Sequence, residues 1–204
     1  MSDTTIFIID DDQQVREALS LLMESVGWKV ALFSDANTYL EQFDSNIPGC
    51  LITDIRMPMM SGLDLQKKLK EFDTSPPVLI ITGHGDVSMA VRAIQEGALD
   101  FIEKPFNNQY LLDQVHRAIE LDRDNRQTQQ KINQVKEKYQ LLTEKEAQVF
   151  ELIIQGDLSK QIADKVCVSQ SAVEARRAKI MEKMGANNLS DLMKMAMILK
   201  MIKS

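Results

Sequence analysis

The sequence predicts two domains of different class, a doubly wound (βα)5 α/β domain over residues 1–121 and an all-α four-helix domain with a helix-turn-helix over 141–204, joined by a helical linker over 122–140. Two patterns divide the chain this way. Up to Leu121, short β-branched apolar runs alternate with amphipathic segments, whereas beyond Leu142 all the periodicity is helical. Charge divides at the same place. Residues 1–121 carry 9 Lys and Arg against 19 Asp and Glu, and residues 122–204 carry 15 against 11, so an acidic front precedes a basic rear within a chain of net charge −6. The rear is the more plausible partner for a polyanion.

Taken in order, the apolar runs fall at 5–9, 29–33, 50–53, 78–82 and 101–102. They are nearly continuous rather than alternating, as strands buried on both faces of a parallel sheet require. Helical patterns lie between them at 13–26, 35–43, 61–71, 87–96 and 109–122. From 122 to 140 the chain turns to Arg, Gln, Lys, Asn and Asp without Gly or Pro, which excludes a flexible tether. Ala118, Leu121, Asn125, Thr128, Ile132, Val135, Tyr139 and Leu142 keep helical spacing across it, a weak coiled-coil stripe or a solvated single helix. Thr143 opens a capping box for a helix ending near Gly156. Ser159 caps a short helix through Val166, Ser169 a longer one stopped at Gly185, and a last helix spans 189–203.

Several classes are excluded. The first residues lack a signal peptide's basic and hydrophobic regions, and no apolar run reaches bilayer length, so a cytoplasmic protein is expected. Cys50 and Cys167 read as two buried, reduced thiols, with neither CxxC spacing nor a neighbouring His. Gly83, Gly85 and Gly97 form no phosphate-cradling loop, which disfavours nucleotide binding.

In a doubly wound sheet, ligands bind beyond the carboxyl ends of the strands. There the sequence places Asp10, Asp11 and Asp12 after the first strand, Asp54 after the third, Thr82 after the fourth and Lys104 after the fifth. Clustered carboxylates resist joint ionisation unless a cation neutralises them, and oxygen ligands with room for water suit Mg²⁺ (or Mn²⁺). Asp54 is then a candidate nucleophile toward a phosphoryl group, with Lys104 neutralising charge and Thr82 donating a hydrogen bond.

The segments Ile-Ile-Asp-Asp-Asp, Asp-Ile-Arg-Met-Pro followed by Ser-Gly, Thr-Gly-His-Gly and Asp-Phe-Ile-Glu-Lys-Pro-Phe resemble the receiver domain of two-component response regulators, in the expected order. The resemblance implies Asp54 as phosphoacceptor, with Asp10, Asp11, Asp54 and the Arg56 backbone carbonyl around the metal. It also implies Thr82 as switch hydroxyl, Lys104 as phosphoryl-stabilising lysine, Phe101 as an aromatic that changes rotamer, and a histidine kinase as phosphodonor. Asp12 reads equally as a helix cap, and His84, beside Thr82, as structural or as a tuner of phosphate lifetime. His116 reads as a helix-surface residue.

In the rear domain, Ile162, Ala163, Val166, Val168, Val173 and Ile180 make an apolar seam between two helices of helix-turn-helix proportions. The second helix carries Arg176, Arg177 and Lys179. From charge alone, a solvated basic face is the better reading. Leu-Leu-Thr-Glu-Lys-Glu, Gly-Asp-Leu-Ser-Lys-Gln-Ile-Ala, Val-Ser-Gln-Ser-Ala-Val-Glu and Ala-Lys-Ile-Met-Glu-Lys-Met-Gly-Ala resemble the LuxR-type DNA-binding domain. With the receiver segments, the whole is similar to the FixJ/NarL group, and residues 173–184 most to its FixJ branch. The resemblance implies that Lys160, Arg177 and Lys179 touch phosphates of double-stranded DNA while Gln170, Ser171, Glu174, Ala175 and Ala178 face the groove. Arg176 joins this set, although it and Glu174 stand where many relatives carry His and Lys. The last helix would help pair two domains, so a homodimer is expected on phosphorylation. Two other classes use the same features: a phosphatase built on the acidic rim, and an adaptor whose rear domain binds protein only.

Overall fold

The computed structural model describes residues 4–83 and 87–201. It contains a five-stranded parallel sheet and nine helices among these residues. The strands β1 (Thr5–Ile9), β2 (Lys29–Phe33), β3 (Gly49–Asp54), β4 (Val78–Thr82) and β5 (Asp100–Glu103) pair in the order β2-β1-β3-β4-β5. The order reverses direction at β1 and β3, so a crevice opens where those two strands end, at Asp10 and Asp54.

Side chains of a strand alternate between faces, and each face here has its own core. Phe7 and Ile9 pack with Ala36 and Tyr39 of α2 (Ala36–Gln42), Leu65 and Leu69 of α3 (Gly62–Leu69), and Ala93 of α4 (Val87–Gln95). Ile6 and Ile8 pack with Leu19 and Met23 of α1 (Gln13–Ser25), and with Leu111, Val115 and Ala118 of α5 (Asn108–Gln140). Truncating a fully buried residue such as Ile8 to Ala would cost roughly 2–5 kcal/mol, because the transfer energy is lost and a cavity remains. Asp12, Asp35 and Ser61 begin their helices by accepting backbone N–H bonds from Gln14, Thr38 and Asp64.

The chain divides into two compact units, Met1–Gln127 and Thr128–Ser204, and α5 contributes to both. The second unit continues with α6 (Glu144–Ile154), α7 (Ser159–Lys165), α8 (Gln170–Met184) and α9 (Leu189–Ile198). Val149, Phe150, Ile162, Val173, Ile180, Met184, Leu192 and Ala196 form its core. Val135 is buried in that core, Tyr139 and Leu142 pack against it, and the Tyr139 ring lies edge-on to Phe150 at 5.5 Å. This end of the apolar stripe is therefore used within the chain. Thr143 and Glu146 complete a reciprocal capping box, and α8 stops at Gly185, whose φ of 67° is the left-handed conformation that glycine adopts freely.

Three local expectations are corrected. Ser159 is the first residue of α7 rather than its cap; the Leu158 N–H is instead held by the Gln161 side chain at 2.8 Å. The last helix ends at Ile198, where Leu199 caps it and Lys200 turns to positive φ, so apolar residues beyond that point did not extend it. Cys50 is buried, but Cys167 is exposed. Its neighbours Val166 and Val168 pack on the core while Cys167 itself takes φ 52° at the turn between α7 and α8. Apolar neighbours in sequence do not bury a residue at a reversal.

Candidate functional site

At the carboxyl edge of the sheet, β1 and β3 deliver two carboxylates to one cation. The Lys104 ammonium lies 2.9 Å from Asp10 Oδ2 and 3.4 Å from Asp54 Oδ1. Both carboxylates are buried, Asp54 to 9% exposure. The other oxygens are held from the backbone: Asp12 N–H donates to Asp10 Oδ1 at 2.9 Å and Arg56 N–H to Asp54 Oδ2 at 2.6 Å. Lys104 N–H donates to the Thr82 carbonyl at 2.8 Å, which ties the residue after β5 to the end of β4. The Lys104–Pro105 peptide is cis. Gly62 permits the loop after β3 to fold close, since a Cβ there would stand 2.3 Å from the Asp54 carbonyl oxygen.

Asp54 is electrostatically uneasy. Burial pushes its carboxyl above the ordinary range and the neighbouring Asp10 adds to that, while the Arg56 N–H and Lys104 oppose them. Added positive charge would relieve this. The donor set fits a hard divalent cation: the carboxylates of Asp10 and Asp54 already reach one cationic centre, and every nearby ligand is oxygen. Asp11 is not gathered with them. It is exposed and lines an adjoining cleft of about 690 Å³ with Arg56, Met57, Ser88 and Arg92. Among the described residues no three acidic, His or Cys side chains surround a common point.

Thr82 is buried at the end of β4, level with Glu103 of β5. Phe101 is half-buried against the first core, level with Ile80. Asp12 caps α1, which is the structural one of its two readings. His116 is exposed and edge-on to Trp28 at 4.6 Å. His84 lies outside the described residues.

The second region is α8. Val173, Ile180 and Met184 are its buried side. At 100° per residue, Ser171, Ala175, Ala178 and Lys179 fall on the opposite side, and all four are exposed. Gln170 and Glu174 are exposed at one flank, with Arg177 half-buried beside Glu174 at 3.9 Å. Arg176 is half-buried at the other flank, and Lys160 is exposed on α7. The expected contact residues thus separate into an outward row of small side chains with one lysine and two arginines that edge the seam.

Two buried ionic groups escaped sequence reasoning. Lys183 donates to Glu146 at 2.5 Å and to the Leu141 carbonyl at 3.0 Å, with no local sequence signal across a separation of 37 residues. Asp122, in the polar linker stretch, is buried; its Oδ2 accepts from Gly49 N–H at 2.9 Å and from Arg126 at 2.6 Å. Arg126 also donates to the carbonyls of Ser45 and Ile47. The four-residue spacing of Asp122 and Arg126 was the available clue.

A parallel sheet with acidic groups and a lysine at its carboxyl edge, followed by a helix-turn-helix, defines a class of two-part regulators, and comparison with known proteins specifies it. Residues 6–116 match the response regulator receiver domain, and residues 140–196 match the luxR family of bacterial regulatory proteins. The response regulator protein TodT of Pseudomonas putida is 42% identical over 202 residues, covering 98% of this chain and 89% of TodT. The transcriptional regulatory protein FixJ of Bradyrhizobium diazoefficiens is 38% identical, covering 94% of each chain. The solved structure of the response regulator StyR superposes with a TM-score of 0.81 at 38% identity, over 96% of this chain and 99% of that one. The chain belongs to the response regulators that join a receiver to a LuxR-type DNA-binding domain. It is a DNA-binding response regulator of two-component signalling. No helix among the described residues is long and apolar enough to cross a membrane.

Proposed function

We propose that Asp54 accepts a phosphoryl group from a histidine kinase and that this controls homodimerisation and promoter binding in the cytoplasm. The observation that carries the reading is the single ammonium shared by Asp10 and Asp54 at the carboxyl edge of the sheet. A carboxylate oxygen of Asp54 would form the new bond to phosphorus as the bond to the donor imidazole nitrogen breaks, and the departing imidazole takes up a proton. Mg²⁺ (or Mn²⁺), held by Asp10, Asp54 and the Arg56 carbonyl, with the exposed Asp11 turning in from the adjoining cleft, would supply positive charge to the phosphoryl oxygens. Lys104 adds a second cation from the protein side and then stays with the phosphorylated site. The Thr82 hydroxyl, at the adjoining strand end, donates to a phosphoryl oxygen and draws Phe101 inward. That rearrangement moves the surface formed by residues 87–93 and 102–105, where two receivers would meet. The only enzymatic act is this phosphoryl transfer and its slow hydrolysis.

In the second unit, α8 enters the major groove, which admits a helix. Ala175 and Ala178 permit close approach to base edges and thymine methyls, with Ser171, Gln170 and Glu174 as polar readers. Lys160, Lys179, Arg176 and Arg177 hold the backbone. Site selection with random double-stranded DNA tests the reading. Treatment with an acyl-phosphate donor and Mg²⁺ should enrich a two-fold-symmetric sequence that Asp54→Asn does not enrich. Equal enrichment by both proteins would contradict it.

A further inference from the structure

Arg16 stands in sequence beside Asp10, Asp11, Asp12 and Glu17, yet no carboxylate among the described residues pairs with it. Its guanidinium Nη1 donates instead to the backbone carbonyl of Asp10, at 2.5 Å. Helix geometry explains the reach. Asp12 caps α1, and Arg16 lies in the first turn of that helix, whose side chains lean toward its N-terminus. The guanidinium therefore passes the cap and lands on the residue two before it. Arg16 is half-buried, so this charged donor is partly shielded from water, which strengthens the bond.

The carbonyl belongs to the peptide that joins Asp10 to Asp11. A peptide is planar, so a bond to its oxygen fixes the direction in which the plane faces, and with it ψ of Asp10 and φ of Asp11. The two acids differ in what else holds them. Asp10 is fastened independently of Arg16: its N–H donates to the Phe33 carbonyl at 3.4 Å, its Oδ1 accepts from the Asp12 N–H at 2.9 Å, and its Oδ2 accepts from Lys104 at 2.9 Å. The Asp11 carboxylate has no ion pair among the described residues and lines the adjoining cleft. Its direction is set by its backbone, and Arg16 holds that backbone.

We infer that Arg16 is a positioning residue, whose bond to the Asp10 carbonyl directs the Asp11 carboxylate toward the rim so that it joins Asp10 and Asp54 around a divalent cation. The inference rests on the metal site proposed above. Charge and geometry make opposite demands of Arg16. A nearby guanidinium repels a metal ion, so its loss would tighten binding if charge alone mattered. A group that supports a metal ligand acts the other way, and its loss weakens binding by about 10–100-fold.

The test is Mn²⁺ binding to the full-length, unphosphorylated protein, followed by the electron paramagnetic resonance of the free ion. Arg16→Met keeps a helix-forming, unbranched stem and removes the donor; it should weaken binding about tenfold. Arg16→Gln, too short to span from the first turn to the carbonyl, should do the same, and Trp28 fluorescence checks that each variant is folded. Asp11→Asn should cost the wild type about tenfold, but should cost Arg16→Met less than about threefold, because the ligand there is already misdirected. A wild type that binds no Mn²⁺ overturns the inference together with the metal reading. A wild type that binds, with both Arg16 variants binding as tightly or tighter, overturns the inference alone. So does a double variant in which the two single losses multiply in full.

Discussion

Asp54 and Glu146 are both buried carboxylates that meet a lysine, yet the protein treats them oppositely. Glu146 sits 2.5 Å from Lys183 and accepts the Thr143 N–H in a completed capping box, so its carboxyl is held at about 2, below its ordinary 4.5. Asp54 must share Lys104 with Asp10 at the longer distance of 3.4 Å, and burial pushes it upward. A carboxylate whose charge is fully answered holds two helices together. One whose charge is only partly answered keeps a demand for positive charge, which is what a metal and a phosphoryl group at that edge would meet. The difference between structural and reactive acids lies in the partners, not in the side chain.

The largest expected effect tests the reactive side. Asp54→Asn should abolish phosphoryl acceptance from a labelled kinase. In the absence of divalent cations it should leave the first unit at least as stable as before, because ionised Asp54 opposes folding. The single tryptophan, Trp28, reports on that unit alone by fluorescence. A marked loss of stability would mean that Asp54 is as well satisfied as Glu146.

Next is Arg126→Ala. It strands the buried Asp122 with the Gly49 N–H and should destabilise the first unit by about 3 kcal/mol in urea unfolding followed at Trp28. Phosphoryl acceptance should persist under folding conditions. An unchanged midpoint would show that this end of α5 does not need the clamp.

Glu146→Ala should cost the second unit about 2 kcal/mol, read by far-UV circular dichroism, since Lys183 is partly open to solvent and keeps the Leu141 carbonyl. The pH dependence has a definite sign. The folded pKa lies below the unfolded one, so the stabilisation is complete above about 4.5 and is lost as pH falls toward about 2. At most about 3 kcal/mol is at stake over that window. Glu146→Gln should flatten it, and an equally steep acid limb in that variant would assign the loss to other acids.

The smallest effect is at the reader. Lys179→Ala should weaken DNA binding across sequences and lower the salt slope by about 1, while Ala175→Glu should alter which sequence is preferred. A salt slope unchanged by Lys179→Ala would place that lysine off the backbone.

Much of this was legible because both fold and rim depend on short-range patterns. The buried runs of β1, β3 and β4 are nearly unbroken apolar stretches, and Asp10, Asp54, Thr82 and Lys104 stand where those strands and β5 end. What failed to show depends on geometry between distant residues. Nothing near Lys183 in sequence points to Glu146, and the polar Asp122 looked like linker although it is buried against β3. Arg176 and Arg177 looked like surface cations, yet both flank the Val173–Ile180 seam and are half-buried. Cys167 was misread because a single positive φ turned the chain outward between two valines that pack inward. The exposure of Ser171, Ala175 and Ala178 follows from the helical repeat once Val173 is known to be core.

The most direct measurement is fluorescence anisotropy with one selected DNA duplex and four samples: wild type and Asp54→Asn, each with and without an acyl-phosphate donor and Mg²⁺. The account predicts that the donor tightens wild-type binding at least about tenfold and leaves Asp54→Asn at the level of untreated wild type. Equal donor-dependent tightening of the two proteins would contradict it, because the signal would then be received somewhere other than Asp54.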